Sequence, residues 1–348
     1  MQQSRITILG AGSWGTALAN LLVENGHQVM LWTYRKEQVN EIQTTHRNAH
    51  YLPNLLLNEK LQVTSDLEKA IAFGEMVGFV VPTNAMREVL KKCCPYFLKK
   101  NQAGEQPVLF HAAKGIELGT HLRISQIFKE ELLSVKYRGP VVFSGPSHAE
   151  EVAKKDLTAI TAASSDLEAA AHIQSLFMNT YLRVYTNADV IGVELGGALK
   201  NIIALCSGAL MGLGFGDNAK AALMTRGLAE MTRLGVSMGA DPLTFSGLSG
   251  LGDLIVTCTS QYSRNWQAGY QLGQGKTTQE ILDHMGMVVE GIHTTKSAYE
   301  LAKSQGIEMP ITEATYQVVY QGRNLRETIL ELMGRSGKNE STFQDQKK

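Results

Sequence analysis

Apolar and polar positions follow two periods along the first half of the chain. Residues 5–9 (RITIL) are a short apolar run that ends in glycines, the pattern of a strand buried on both faces. Residues 14–25 then carry apolar side chains at helical spacing until Gly26 stops them. The alternation continues with a strand at 28–32 and a helix from about Arg35. Ser65-Asp66-Leu67-Glu68 reads as a capping box opening a short helix. A strand at 76–81 is halted by Pro82, and a helix starts at Asn84. Strands at 108–112, 141–143, 159–163 and 182–185 are interleaved with helices at 120–133 and 166–177. Strand, helix, strand at this spacing predicts a mostly parallel, doubly wound sheet. Beyond residue 189 the β signal stops, and helical periodicity covers 189–210, 218–238, 264–272, 278–285, 291–305, 312–320 and 325–332. The predicted organisation is an α/β domain over 1–188, an all-α domain over 189–334 joined directly through its first long helix, and a polar, frayed tail over 335–348.

Composition removes several classes. With 348 residues the chain is long enough for two cores, and its 33 basic residues balance 33 acidic ones, so it presents no overall basic surface for nucleic acid. Cys93, Cys94, Cys206 and Cys258 form no C-x-x-C pair, which suits a reducing compartment and a cytoplasmic protein. His46 and His50 have helical spacing but lack the glutamate of a zinc motif, and no metal site is expected. The apolar N-terminus imitates a secretory leader. Its glycines make more sense in a nucleotide-binding turn. The apolar stretch 189–215 contains Glu194 and Lys200 and is not expected to insert in a membrane.

Gly10-Ala11-Gly12-Ser13-Trp14-Gly15 follows the first strand and opens the first helix. In that context the pattern is a Rossmann-type dinucleotide turn: Gly10 for the tight bend, Gly12 for close approach of a pyrophosphate, Gly15 for helix–strand packing. The helix N-terminus supplies N–H groups and positive dipole for the phosphates. An acid at the end of the second strand would hold the ribose 2′-hydroxyl of NAD. Here Thr33-Tyr34-Arg35-Lys36 stands instead, with no acid before Glu37. These residues either accommodate the 2′-phosphate of NADP or simply begin a solvated helix.

Four further clusters carry candidate chemistry. Lys114 follows a strand, at the crevice where doubly wound sheets bind ligands. Ser144-Gly145-Pro146-Ser147 is a tight turn after another strand and aims Ser147 and backbone N–H groups outward. Lys200 sits inside an apolar helix beside Gly196 and Gly197, which leave room for a ligand or another backbone. Such a lysine is costly unless paired or functional, and burial lowers its pKa toward that of a useful proton donor. The alternative is a side chain that snorkels to water. Last, Ser263-Arg264-Asn265 opens a helix with a cap, a guanidinium and free N–H groups, either a small phosphate site or a plain cap.

Taken in order, GAGSWGTALA, AAKGIE, SGPSHAEEVA, VIGVELGGALKN, TRGLAEM, GLSGLGDLIVTCTS, SRN and MVVEG resemble the bacterial glycerol-3-phosphate dehydrogenase family, from Gly10 to about Leu332. The resemblance implies hydride transfer between NAD or NADP and dihydroxyacetone phosphate, feeding phospholipid synthesis. It implies a cofactor lined by Ser13, Trp14, Tyr34, Arg35, Lys114, Ala149, Val288, Glu290 and Arg264. It implies substrate contacts from Lys114, Gly145, Ser147, Asp253, Ser263, Arg264 and Asn265, with Lys200 as the catalytic lysine. It also implies a homodimer. The chain departs from the family at Thr33-Tyr34, which bears on cofactor choice, and at Met287, where glutamine is common. Two rivals use the same turn. A 2-ketopantoate or β-hydroxyacid reductase has no use for the Ser263-Arg264-Asn265 phosphate site, and a non-catalytic NAD sensor has no use for Lys200.

Overall fold

The computed structural model describes residues 3–285, 288–337, 339 and 340; Met287 and much of the tail expected over 335–348 lie outside them. Eight strands form one sheet: β1 (Arg5–Leu9), β2 (Gln28–Trp32), β3 (Gln62–Thr64), β4 (Met76–Phe79), β5 (Val108–His111), β6 (Arg138–Ser144), β7 (Thr158–Ala163) and β8 (Leu182–Asn187). Their spatial order is β3-β2-β1-β4-β5-β6-β7-β8, parallel except where β7 runs against β6. The order in which strands are added reverses between the parallel neighbours β1 and β4, so the crevice at their carboxyl ends is the place where such sheets bind ligands.

Period-two burial makes the strands two-sided. On β5, Val108 and Phe110 enter the apolar cluster of one face, with Ile6 and Ile8 of β1, while Leu109 enters the other with Val77 and Phe79 of β4. Helices cover both faces, so no polar side chain is needed on either.

The second half is built around one long helix, Val190–Gly212, whose sides are covered by the helices Asp217–Ser237, Arg264–Gly273 and Glu290–Ser304. It is long and apolar enough to cross a membrane by length and composition, yet 83% of its most apolar window lies inside the protein. Its approach to Arg264–Gly273 is backbone to backbone. A β-carbon on Gly208 would lie 2.0 Å from the Trp266 carbonyl oxygen, and one on Gly269 1.8 Å from that of Leu205. Buried Glu194 on the same helix accepts bonds from Ser125 N (2.6 Å) and Ser125 Oγ (2.7 Å) and pairs with Arg123, tying the core helix to the sheet's helical cover.

Some predicted boundaries move. The short helix after β3 (Leu67–Phe73) is capped by Asp66, whose carboxylate accepts from Lys69 N at 3.0 Å; the capping box expected from Ser65 does not form. The longer charged acceptor, one residue on, takes that place. The helix expected over 120–133 spans only Ile124–Glu131, because Gly119 (φ 82°) and His121 (φ 58°) hold a left-handed turn before it.

Candidate active site

The glycine turn separates into two jobs. A β-carbon on Gly10 (φ 114°) would meet the Val80 carbonyl at 2.3 Å, and one on Gly15 would meet the Gly10 carbonyl at 1.9 Å, so both glycines serve the contact of β1, β4 and the first helix (Ser13–Glu24). Gly12 has nothing within 4 Å on that side. Its face is open, as a pyrophosphate cradle requires. Two side chains the sequence did not single out brace the turn: Gln38 Nε2 donates to the Ala11 carbonyl at 2.7 Å, and Asn48 Nδ2 donates to the same oxygen at 3.0 Å. Ser13 Oγ is bonded to the Tyr51 carbonyl (2.9 Å), and Trp14 packs near Ala149 and Leu52.

At the end of β2, Tyr34 and Arg35 are exposed and stacked. Arg35 Nε donates to the Tyr34 hydroxyl at 3.0 Å, and the guanidinium lies 5.3 Å from the ring centroid. The pair presents a flat cationic surface with no carboxylate in it. These residues therefore fit a dinucleotide, with or without a 2′-phosphate.

Across the crevice lies a buried cluster. Asp253, fully buried, opens the helix Asp253–Thr259. Its Oδ2 receives Lys114 Nζ at 2.8 Å, and its Oδ1 receives Lys200 Nζ. Lys114, from the loop after β5, also donates to the Gly145 carbonyl (2.9 Å). Lys200 donates to Thr257 Oγ1 (2.8 Å), one turn beyond Asp253 on the same helix. The snorkelling alternative is thereby ruled out: Lys200 is paired inside the protein. Burial pushes its ammonium down to about 7, with Asp253 opposing and Lys114 reinforcing the fall. The room expected beside Gly196 and Gly197 is taken by the protein itself: a β-carbon on Gly196 would lie 2.5 Å from the Ser249 carbonyl, and one on Gly197 2.8 Å from Ser144 Oγ. Gly197 thus lets Lys114 and Ser144 close against the core helix.

Ser147 Oγ donates back to the Gly145 carbonyl at 2.9 Å, in the same turn. Ser263 caps the helix Arg264–Gly273 by accepting from Trp266 N (3.2 Å), leaving the N–H groups of Arg264 and Asn265 in the unladdered first turn. Arg264 reaches the Val288 carbonyl (3.3 Å) beside Glu290. Glu290 itself is partly buried and accepts from Thr83 N (3.1 Å) after β4; burial raises its pKa. The Asn265 side chain is spent inside the protein: it donates to Asn201 Oδ1 (2.9 Å) and accepts from Gly291 N (2.8 Å), while Asn201 donates to the Lys114 carbonyl (3.0 Å). Asn201 and Thr257 are partners of the two lysines that sequence reasoning passed over. Their signals were adjacency to Lys200 and a four-residue step from Asp253.

Comparison with known proteins matches this arrangement from end to end. A family model described as NAD-dependent glycerol-3-phosphate dehydrogenase N-terminus covers residues 5–170, and its C-terminal counterpart covers 189–330. The chain belongs to the NAD-dependent glycerol-3-phosphate dehydrogenase family. Relatives named glycerol-3-phosphate dehydrogenase [NAD(P)+] include one from Enterococcus faecalis, 56% identical over 98% of each chain. Another, from Pediococcus pentosaceus, is 57% identical over 97% of this chain and 98% of its own. The crystal structure of glycerol-3-phosphate dehydrogenase from Coxiella burnetii is 37% identical and superposes with a TM-score of 0.89, over 96% of this chain and 99% of that one. Both halves of the glycerol-3-phosphate dehydrogenase family are therefore present here, meeting at the buried Lys114–Asp253–Lys200 cluster.

Proposed function

We propose that Lys200 is the proton donor and acceptor in the reaction of this family member, the NAD(P)-dependent interconversion of dihydroxyacetone phosphate and sn-glycerol 3-phosphate. The observation that carries the proposal is the buried Lys114–Asp253–Lys200 cluster facing the dinucleotide crevice. Bound NAD(P)H supplies the hydride to the central carbon, and NAD(P)+ takes it back in oxidation. The work of the chain is to hold the substrate and manage charge and proton. As the ketone oxygen gains negative charge, Lys200 stabilises it and gives up a proton from Nζ. Asp253 and Thr257 aim that ammonium, and Asp253 offsets the two cations that would otherwise repel. Lys114 adds a second positive charge beside the reacting oxygen, and Gly145 and Ser147 complete that wall. Burial of the cluster keeps water from screening these charges.

The substrate phosphate belongs at Ser263, Arg264 and Asn265, a helix start that offers first-turn N–H groups and an exposed guanidinium. In this reading residues 1–188 hold the cofactor through Gly10, Gly12, Ser13, Trp14, Gly15, Tyr34, Arg35 and Ala149, and residues 189–334 carry the proton chemistry. Val288, Glu290 and Arg264 close on the cofactor from the second unit. We place the enzyme in the cytoplasm, as a homodimer that feeds phospholipid synthesis. The free thiols of Cys93, Cys94, Cys206 and Cys258 support a reducing compartment, and the family resemblance supports the rest.

Loss of NADH absorbance on adding dihydroxyacetone phosphate tests the reaction directly. Its pH dependence tests Lys200. Reduction needs the ammonium, so kcat/KM for dihydroxyacetone phosphate is expected to fall as pH rises through about 7. Oxidation of glycerol 3-phosphate needs the neutral amine and should rise through the same range. Two profiles moving together would remove Lys200 as the titrating group.

Both NADH and NADPH are expected to serve, since no carboxylate guards the end of β2. Arg35→Asp should raise KM for NADPH well above any change for NADH. Equal increases would show that Arg35 does not read the 2′-phosphate.

A further inference from the structure

The two amides that brace the dinucleotide turn have every hydrogen engaged. Gln38 lies in the first turn of the helix Lys36–Thr45, and Asn48 follows that helix in the chain. Both are buried, as are Thr16 and Thr33 beside them. Gln38 Nε2 divides its hydrogens between the Ala11 carbonyl (2.7 Å) and Asn48 Oδ1 (3.1 Å). Asn48 Nδ2 divides its own between the same carbonyl (3.0 Å) and Thr16 Oγ1 (2.8 Å). A backbone carbonyl only accepts, so the amide nitrogens face it, and the polarity of both side chains follows. Neither amide has a hydrogen left for a ligand.

Fixing that carbonyl fixes its neighbour. The Ala11–Gly12 peptide is trans, and in a planar trans peptide the C=O and N–H point in opposite directions. With the Ala11 carbonyl drawn inward by two donors, the Gly12 N–H is turned away from Gln38 and Asn48. It stands at the start of the helix Ser13–Glu24, where N–H groups and positive dipole meet a pyrophosphate. Rotating this peptide would aim an oxygen at the phosphates and leave two buried amides without their acceptor.

The network also runs to the other end of the adenosine half. Gln38 Oε1 accepts from Thr33 Oγ1 at 2.7 Å, and the Thr33 hydroxyl oxygen accepts from Arg35 N at 3.3 Å. Arg35 carries the exposed guanidinium at the ribose 2′ end. Gln38 thus stands between that end and the turn, whereas the Asn48 side chain serves the turn and the first helix. We propose that Gln38 and Asn48 are positioning residues for the cofactor: together they hold the Gly12 N–H toward the pyrophosphate, and Gln38, through Thr33, also sets Arg35 at the ribose 2′ end. The proposal rests on the reading of Gly10–Gly15 as the dinucleotide turn and of Arg35 as the residue that meets a 2′-phosphate.

Three variants and a control test it. Asn48→Leu and Gln38→Met keep the approximate shape of each side chain and delete its polar atoms. Thr33→Val cuts the link to Arg35 and leaves both donors on the Ala11 carbonyl. Gly12→Val is the control: its φ is −73° and nothing lies within 4 Å of a β-carbon there, so valine should fold and obstruct the pyrophosphate. Fluorescence titration gives the Kd for NADH and for NADPH, and thermal melts verify folding. Asn48→Leu is expected to weaken both cofactors by a common factor of roughly ten. Gln38→Met should weaken NADPH several times more than NADH, and Thr33→Val should weaken NADPH while sparing NADH. In all three, kcat at saturating cofactor should stay within about threefold of the parent, the signature of lost binding rather than lost chemistry. A merely structural role would lower the melting temperature without this split. Where a variant does not fold, Asn48→Ala or Gln38→Ala takes its place. Unchanged cofactor affinity in folded variants, losses that fall on kcat instead, or one NADPH-to-NADH ratio throughout would each overturn the proposal. Failure of the underlying reading looks different: Gly12→Val would leave NADH affinity intact, or Arg35→Asp would affect both cofactors equally.

Discussion

Lys200→Met is expected to lower turnover by about 10²–10⁴, the usual cost of removing a positioned acid–base group. Methionine keeps the length and packing of the side chain within the helix Val190–Gly212 while deleting its charge. The substitution leaves Asp253 buried, and breaking a buried ion pair ordinarily costs about 3–5 kcal/mol. Here Lys114 stays bonded to Asp253 at 2.8 Å, so the carboxylate keeps a counter-charge and the loss should be smaller. The variant should therefore fold and bind NADH, which melting and fluorescence titration verify before turnover is compared. Turnover within threefold of the parent would take Lys200 out of the mechanism and move the proton to Lys114.

Arg264→Ala should have the next largest effect. A charge-assisted bond to phosphate is worth about 1.5–3 kcal/mol, so kcat/KM for dihydroxyacetone phosphate should drop by about ten- to a hundredfold. The guanidinium is exposed and, among the described residues, is hydrogen-bonded at the Val288 carbonyl, so its removal should scarcely disturb the fold. Unphosphorylated dihydroxyacetone is the control. If its poorer turnover fell by the same factor, the phosphate would be bound elsewhere. Because Arg264 stands beside Glu290 on the expected cofactor side, NADH affinity has to be measured in the same variant.

Much of this arrangement was legible because its physics is local. The strands at 5–9 and 28–32 were delimited correctly because buried parallel strands are unbroken apolar runs and glycine marks their ends. The dinucleotide turn announced itself because each glycine answers a steric demand within a few residues. β3 has only three residues, too few to show a period, and it was missed. So was the helix Asp253–Thr259, whose β-branched sequence and flanking glycines argue locally for something else. It is helical because it packs against the core helix and places Asp253 and Thr257 one turn apart beneath Lys200. The lysine's oddity was visible in the sequence, but its partner was not: Asp253 comes fifty-three positions later and pairs only once two helices meet. The same holds for Asn265, whose side-chain partners, Asn201 and Gly291, come from two other helices.

The core helix Val190–Gly212 also has a history in time. It is the apolar axis of the second unit, but two of the helices that sheathe it, Arg264–Gly273 and Glu290–Ser304, lie downstream in the chain. A ribosome adding roughly 5–20 residues per second needs about 3–12 s to go from Gly212 to Gly273. During that interval the glycines that later admit a neighbouring backbone are exposed grooves on a sticky cylinder. Of the three covering helices only Asp217–Ser237 is made before that interval ends, so the faces that Arg264–Gly273 and Glu290–Ser304 later cover are the last parts of the core helix to find their partners. The close backbone contact that buries Gly208 against Trp266 also ends that exposure.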